Sequence, residues 1–361
     1  MTDTDIRTTD VRTLAPDHTL IARHVFGTMA AQTLRAAVSL RVVELIGDAR
    51  RPAADVAAEA GAAAQPMTRL LRALAALGLL TEQSPGTFSV TPTGALLDPG
   101  RPDSLASFVR VFTEPEIVRP WEQLDNSVRT GDIAFDAVFG TDFFSRLAQR
   151  PELSAEFNAA MSQAAGATAA VLPYAFDFGR FTRLTDVGGG DGTVLAAVLG
   201  AHPGLRGVVH DTAEGLAQAR ETLAEHRLLE RCELVAGDFF RAVPEGSDLY
   251  LVKSVLHDWT DERAVTILRN CREVLPPDGR VLIVEPVLPE IVDTHAEAHA
   301  TDDGVTYLSD LNMLVNVGGR ERTRADFEAL CEAAGLRLAS VTPLAEAAPY
   351  SVLEAVARAN P

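Results

Sequence analysis

From Leu184 to Thr193 the chain reads Leu-Thr-Asp-Val-Gly-Gly-Gly-Asp-Gly-Thr, a short apolar strand passing into a helix through a glycine-dense turn. Glycines let a backbone bend sharply and approach a ligand where any Cβ would intrude, so such a turn is a natural floor for a nucleotide pocket. Taken alone it is also compatible with an ordinary strand-to-helix connection, so the rest of the chain must decide. From residue 184 onward strands alternate with helices: strands near 184–187, 206–210, 232–237, 248–256 and 280–285, with a helix expected after each of the first four. That alternation predicts a parallel, doubly wound α/β sheet. The tail differs, because the apolar segments Leu336 to Leu344 and Tyr350 to Ala357 are separated by a short loop and read as a hairpin adding an antiparallel strand.

Upstream, Phe26, Met29, Ala30, Leu34 and Val38 recur at helical spacing, and Val42, Val43, Leu45 and Ile46 continue an apolar face. Pro52 to Glu59 and Pro66 to Leu79 read as two helices around Gly61, followed by a wing at Thr81 to Thr91 centred on Pro85-Gly86. This is a winged-helix-like pattern, whose second helix would read DNA in a regulator, with Arg69 and Arg72 as the basic candidates. The charge opposes that reading. Asp and Glu outnumber Lys and Arg by 50 to 32, a net −18, which repels nucleic acid and anionic membranes alike. The expected role is instead dimerisation or a lid.

At 361 residues two domains are expected. The first residues are polar, so no signal peptide is expected, and no apolar run is long enough to span a bilayer. Cys232, Cys271 and Cys331 are too scattered for a metal cluster or disulfide framework, which suits a reducing cytoplasm. The middle segment, about 100–175, is helical and rich in Phe and Met. Most of those side chains belong in a core, but some suit a flat aromatic ligand.

In a doubly wound sheet ligands sit at the carboxyl ends of the strands. There the sequence places Gly188, Gly189 and Gly190 after the first strand, Asp211 after the second, and Asp238 with Phe239 after the third. Asp211 suits ribose hydroxyls, and Asp238 suits an adenine amino group beside an apolar ring. The fourth strand ends in Lys253-Ser254-Val255-Leu256-His257-Asp258-Trp259, and the fifth at Glu285. Singly, each has a plainer alternative: a helix cap for either aspartate, a solvated charge for Lys253, a strand-end carboxylate for Glu285. Five strands delivering useful groups to one edge form a coherent set.

Four motifs together resemble the S-adenosylmethionine (SAM)-dependent small-molecule O-methyltransferases of plant phenylpropanoid and bacterial aromatic natural-product pathways. They are Asp186-Val187-Gly188-Gly189-Gly190-Asp191-Gly192, Gly237-Asp238-Phe239-Phe240, Leu256-His257-Asp258-Trp259 and Gly318-Gly319-Arg320-Glu321-Arg322-Thr323. The resemblance spans nearly the whole chain. It implies a Rossmann-like class I methyltransferase domain, a doubly wound sheet with an antiparallel strand, over 176–361. A mainly helical, winged-helix-like dimerisation domain would occupy 1–100, and a helical linker and substrate-pocket segment 101–175. It implies SAM as cofactor, held by Gly188, Gly190, Asp211, Asp238, Phe239 and Lys253, the last at the methionine end. His257 matches the family's catalytic base, and Glu285 and Glu321 match the acidic residues flanking it. Phe157, Met161, Asn312, Met313 and Asn316 are the candidates for lining the acceptor pocket.

The expected reaction is methylation of a phenol on a small aromatic substrate by a cytoplasmic homodimer, with no metal, nucleic acid or membrane involved. A phenol of pKa about 10 gives its proton to a histidine as its oxygen attacks, while carboxylates steady the imidazolium. Two alternatives remain: a SAM-binding relative that hydroxylates or decarboxylates an aromatic polyketide, and a winged-helix DNA-binding regulator.

Overall fold

The computed structural model describes residues 17–292 and 304–358; the polar opening stretch up to residue 16 lies outside them. Two compact units meet between Ala95 and Leu96. In the first, helices His18–Val25, Gly27–Ser39, Val42–Ile46, Ala53–Glu59 and Ala64–Ala76 accompany a small antiparallel sheet. Its strands are β1 (Arg51–Pro52), β2 (Leu80–Ser84) and β3 (Thr87–Val90), in the order β1-β3-β2. The helix–helix–wing order follows the sequence pattern, whereas β1 is too short to show an alternation. Met67, Leu71 and Leu74 bury one stripe of the last helix at four- and three-residue spacing. Arg72, a candidate DNA reader, is instead paired with Glu82 at 3.0 Å. Ile21, Val25, Phe26 and Met29 on the opening helices remain exposed.

The second unit is built on a mixed sheet. It contains β4 (Arg183–Val187), β5 (Arg206–Asp211), β6 (Cys232–Ala236), β7 (Leu249–Lys253), β8 (Arg280–Leu288), β10 (Leu336–Pro343) and β11 (Tyr350–Ala357). Their order is β10-β11-β8-β7-β4-β5-β6, and a two-residue strand, β9 (Arg322–Thr323), pairs with the end of β8. The five strands from β4 to β8 are parallel, and the β10–β11 hairpin joins β8 antiparallel. Because β4 pairs with β5 on one side and β7 on the other, the chain reverses direction across the sheet at β4, where a doubly wound fold opens its ligand crevice.

Side-chain alternation explains the layering. Leu251, Leu282 and Val284 pack on one face with Leu184, Leu195 and Leu199, while Tyr250, Val252, Val281 and Ile283 pack on the other with Ile267, Leu268 and Phe327. A parallel strand covered on both faces must be apolar at both parities, which is why Leu249 to Val252 of β7 and Val281 to Val284 of β8 read as unbroken hydrophobic runs.

Two expectations are corrected. No helix follows β6 among the described residues; residues 237–248 form turns through Pro244 and Gly246, the latter at φ +88°. The strand expected to run to residue 256 ends at Lys253, because Ser254 takes a left-handed φ of 51° and Leu256–Asp258 winds into a 3-10 turn. That early stop lifts His257 off the sheet. Among the described residues no helix is long and apolar enough to cross a membrane.

Candidate active site

Glu285 anchors the site from β8. The residue is fully buried, and one carboxylate oxygen, Oε1, accepts the backbone N–H groups of both Val255 and Leu256 at 2.9 Å. A two-residue strand brings in the second carboxylate: β9 pairs Arg322 with Val287, and Glu321 stands immediately before it. His257 lies between the two. Its Nδ1 is 3.0 Å from Glu321 Oε1 and 3.7 Å from Glu285 Oε2, while Nε2 is 3.6 Å from Asp258 Oδ1. Ser309 adds a hydroxyl donor to Glu321 Oε1 at 3.3 Å, and the Glu321 N–H donates to Asp310 at 2.7 Å. The structure thus brings together the three residues expected to do the chemistry.

Burial works against a charged imidazole, but Glu285 and Asp258 through their charges, and Glu321 through its hydrogen bond, outweigh it and raise the His257 pKa well above 6.5. Burial likewise pushes the Glu285 carboxyl up, and pushes Asp258 up to about 6 despite the opposing pull of His257. Ligand atoms of His257, Glu285 and Glu321 lie within 4.8 Å of one another, a spacing a divalent ion can use. Donating Nδ1–H to Glu321 is the competing use of the same nitrogen.

Two further residues hold this loop, and sequence reasoning assigned neither a role. Arg322 is fully buried and donates to the carbonyls of Leu256 and Trp259, each at 2.8 Å, and to Asp261 at 2.9 Å. Gly319 passes so close to the turn bearing His257 that a Cβ there would lie 2.0 Å from the His257 carbonyl oxygen. Both belong to the Gly-Gly-Arg-Glu-Arg-Thr run, which was the one available signal.

The glycine turn fits a nucleotide-bearing cofactor. Gly188 is at φ +71°, and a Cβ on it would meet Val255 Cγ2 at 2.6 Å, so the turn rests directly against the residue two before His257. Gly190, at φ +54°, faces open space and donates its N–H to Asp211 Oδ2 at 2.9 Å, while the Thr212 N–H reaches Oδ1 at 2.6 Å. Burial raises the Asp211 pKa against these two amides. Phe239 lies near the same turn, 3.7 Å from the position of a Gly188 Cβ. Asp238 is exposed; it caps the Phe240 N–H at 2.9 Å and meets Arg241 at 3.5 Å. Lys253 sets its ammonium over the Tyr350 ring, 4.9 Å from the centroid, and the Tyr350 hydroxyl shares a hydrogen bond with Ser254. Asp186, which sequence reasoning did not single out as a functional residue, is a buried carboxyl pushed up to about 7 by burial and by Asp211.

Of the five acceptor-pocket candidates, Asn316 lines a cavity of about 380 Å³ that is also walled by Phe143, Phe144 and Trp259. Phe157 and Met161 pack beside it on a cluster containing Phe135 and Phe143. Asn312 accepts from Trp121 Nε1 at 3.1 Å and from Asn316 at 2.8 Å, and Met313 is buried.

Comparison with known proteins identifies the family. A family model described as an O-methyltransferase domain matches residues 121–337, and one described as an O-methyltransferase dimerisation domain matches residues 22–98. The O-demethylpuromycin-O-methyltransferase of Streptomyces alboniger is 44% identical over 337 residues, covering 92% of this chain and 87% of that protein. The solved structure of LaPhzM superimposes with a TM-score of 0.87 at 37% identity, covering 95% of this chain and 100% of that one. NcsB1 from neocarzinostatin biosynthesis, solved with SAM and 2-hydroxy-5-methyl naphthoic acid, gives a TM-score of 0.73 at 32% identity, covering 91% and 95%.

Proposed function

The chain belongs to the O-methyltransferase family and is a SAM-dependent enzyme of aromatic natural-product chemistry, and from that premise we propose that it methylates a phenolic hydroxyl with His257 as general base. The observation that carries the proposal is the position of His257, held at Nδ1 by Glu321 at 3.0 Å and flanked there by Glu285 at 3.7 Å. An ionised carboxylate only accepts, so Nδ1 carries the hydrogen, and Nε2, 3.6 Å from Asp258 Oδ1, is the nitrogen left to take a proton.

SAM supplies an already activated methyl group when bound. The residues of this chain then supply alignment, a dry site and a basic nitrogen. Gly188 and Gly190 form the floor of the cofactor site, Asp211 takes the ribose hydroxyls, Asp238 and Phe239 flank the adenine, and Lys253 serves the methionine end. His257 Nε2 removes the phenolic proton as the oxygen attacks, and Glu321 and Glu285 stabilise the resulting imidazolium. Phe157, Met161, Asn312, Met313 and Asn316 shape the wall on which the aromatic acceptor rests. The first unit pairs two copies of the chain through its uncovered opening helices, and the homodimer works in the cytoplasm without nucleic acid or membrane.

The test is transfer of label from methyl-labelled SAM to a panel of phenolic metabolites, read by mass and fragmentation. Label on oxygen supports the proposal. Label on nitrogen or carbon alone, or no transfer across the panel despite tight SAM binding, overturns it.

A further inference from the structure

Lys253 is the only lysine among 32 lysine and arginine residues in this chain. The two side chains differ in kind. A guanidinium is a flat, delocalised fork suited to planar partners, whereas an ammonium is a compact charge with three donors at the end of a flexible stem. Lys253 closes β7, and its charge draws down the carboxyl pKa values of Asp186 on β4 and of Asp258 beside His257, against the burial that raises both. The ammonium therefore stands between the glycine turn and the turn bearing His257. Among the described residues it makes no ion pair or hydrogen bond, so its donors are open to a ligand. A lysine stem left to itself samples many rotamers, and ordering it on binding weakens that binding.

Support comes from the far side of β8. Tyr350 opens β11 opposite Pro286, and β8 lies between β11 and β7. The Tyr350 ring carries the Lys253 ammonium 4.9 Å from its centroid, within reach of a cation–π attraction. The hydroxyl shares a hydrogen bond of 3.0 Å with Ser254 Oγ. Ser254 is the left-handed residue, at φ 51°, that stops β7, and its N–H donates to the Val284 carbonyl at 3.1 Å. One side chain thus grips two consecutive residues where the strand ends, the cation by its face and the turn by its edge. Tyr350 is itself held, because it packs on the core cluster containing Val284 and Val352, and its carbonyl accepts the Leu344 N–H at 2.9 Å.

We propose that Tyr350 is a positioning residue for cofactor binding, whose ring, oriented by the Ser254 bond, presets the Lys253 ammonium to receive the carboxylate at the methionine end of SAM. This inference rests on the reading that Lys253 serves that end. Tyr350 touches neither the acceptor nor the transferred methyl; it acts through Lys253, and removing its ring costs affinity for the amino-acid portion of the cofactor alone.

Two ligands separate that portion from the rest. S-adenosylhomocysteine carries it, and 5′-methylthioadenosine ends in a neutral thioether without it. Both are titrated calorimetrically into the full chain, wild type and variants. Lys253→Met is expected to weaken S-adenosylhomocysteine at least ~10-fold, the loss of a charge-assisted contact, with methylthioadenosine unchanged within ~2-fold. Tyr350→Leu is expected to weaken S-adenosylhomocysteine by ~5- to 30-fold, again with methylthioadenosine unchanged, which also reports that the variant is folded. Tyr350→Phe keeps the ring and is expected to lose no more than ~3-fold, and Tyr350→Leu adds nothing when Lys253 is already Met. A Tyr350→Leu protein that retains wild-type affinity, weakens both ligands alike, or adds its full loss to that of Lys253→Met overturns the inference. Selective weakening by Lys253→Met but not by Tyr350→Leu refutes this inference alone and leaves the reading of Lys253 intact. Unchanged S-adenosylhomocysteine affinity in Lys253→Met refutes that reading and the inference with it.

Discussion

Glu321 accepts the Nδ1–H of His257 at 3.0 Å, and that single contact decides which imidazole nitrogen is basic. A carboxylate without a proton cannot donate, so the hydrogen must sit on Nδ1 and the lone pair on Nε2. Glu285 completes the arrangement from below. One of its oxygens is tied to the amides of Val255 and Leu256, and the other stands 3.7 Å from the same nitrogen. The ring is therefore oriented by one carboxylate, and its protonated form is stabilised by both.

The carboxylates also set the pH response. They favour imidazolium, whereas the form that would accept a proton in the proposed mechanism is neutral, so that mechanism predicts a loss of activity as pH falls through the raised pKa of His257. A plot of kcat/KM against pH is expected to rise along a limb whose midpoint lies above 6.5. Glu285→Gln removes one of the raising charges and moves that limb to lower pH. A wild-type midpoint at or below 6.5, or no movement in the variant, contradicts the assignment.

Asp211 is expected to act on binding rather than on chemistry. Its carboxylate is held by the Gly190 and Thr212 amides at the mouth of the crevice beside β4. Asp211→Ala should weaken SAM binding by about 1–3 kcal/mol, the usual cost of removing a partly buried hydrogen-bond partner. Calorimetric titration with SAM measures this directly, and unchanged affinity places the ribose elsewhere.

Gly319 offers a steric test of the loop. Adding one methyl at this position puts carbon 2.0 Å from the His257 carbonyl oxygen and 2.4 Å from the Asp258 carbonyl carbon. Both obstacles are backbone, so Gly319→Ala must displace the catalytic turn, at a cost of about 1–3 kcal/mol in stability. The thermal midpoint is expected to fall and turnover to drop further than SAM affinity does. A variant with wild-type turnover would mean that the contact is not maintained in solution.

Much of this organisation was legible in the residues. The glycine turn, the apolar runs of β7 and β8 and the terminal hairpin all carry a local signal, and the motif around His257 marks the candidate residue that the fold sets beside Glu285 and Glu321. What escaped depends on long-range packing. The stop at Lys253 follows from a left-handed Ser254, a conformation that serine does not advertise. The missing helix after β6 reflects Pro244 and Gly246 overriding a general expectation of alternation. Arg322 was visible as part of a motif, but nothing local says that its guanidinium runs under the catalytic loop to reach the Leu256 and Trp259 carbonyls. The lining of the cavity was hardest, because Asn312, Met313 and Asn316 share one helix and only its packing decides which of them faces the cavity.

The most direct measurement compares wild-type protein with His257→Ala for SAM affinity and for methyl transfer to a phenol. The cofactor groups lie on other strands, so SAM binding should remain within ~3-fold while kcat falls by roughly 100- to 10,000-fold, the range general bases supply. A variant that retains near wild-type turnover would contradict the general-base assignment and leave proximity, rather than proton removal by His257, as the source of catalysis.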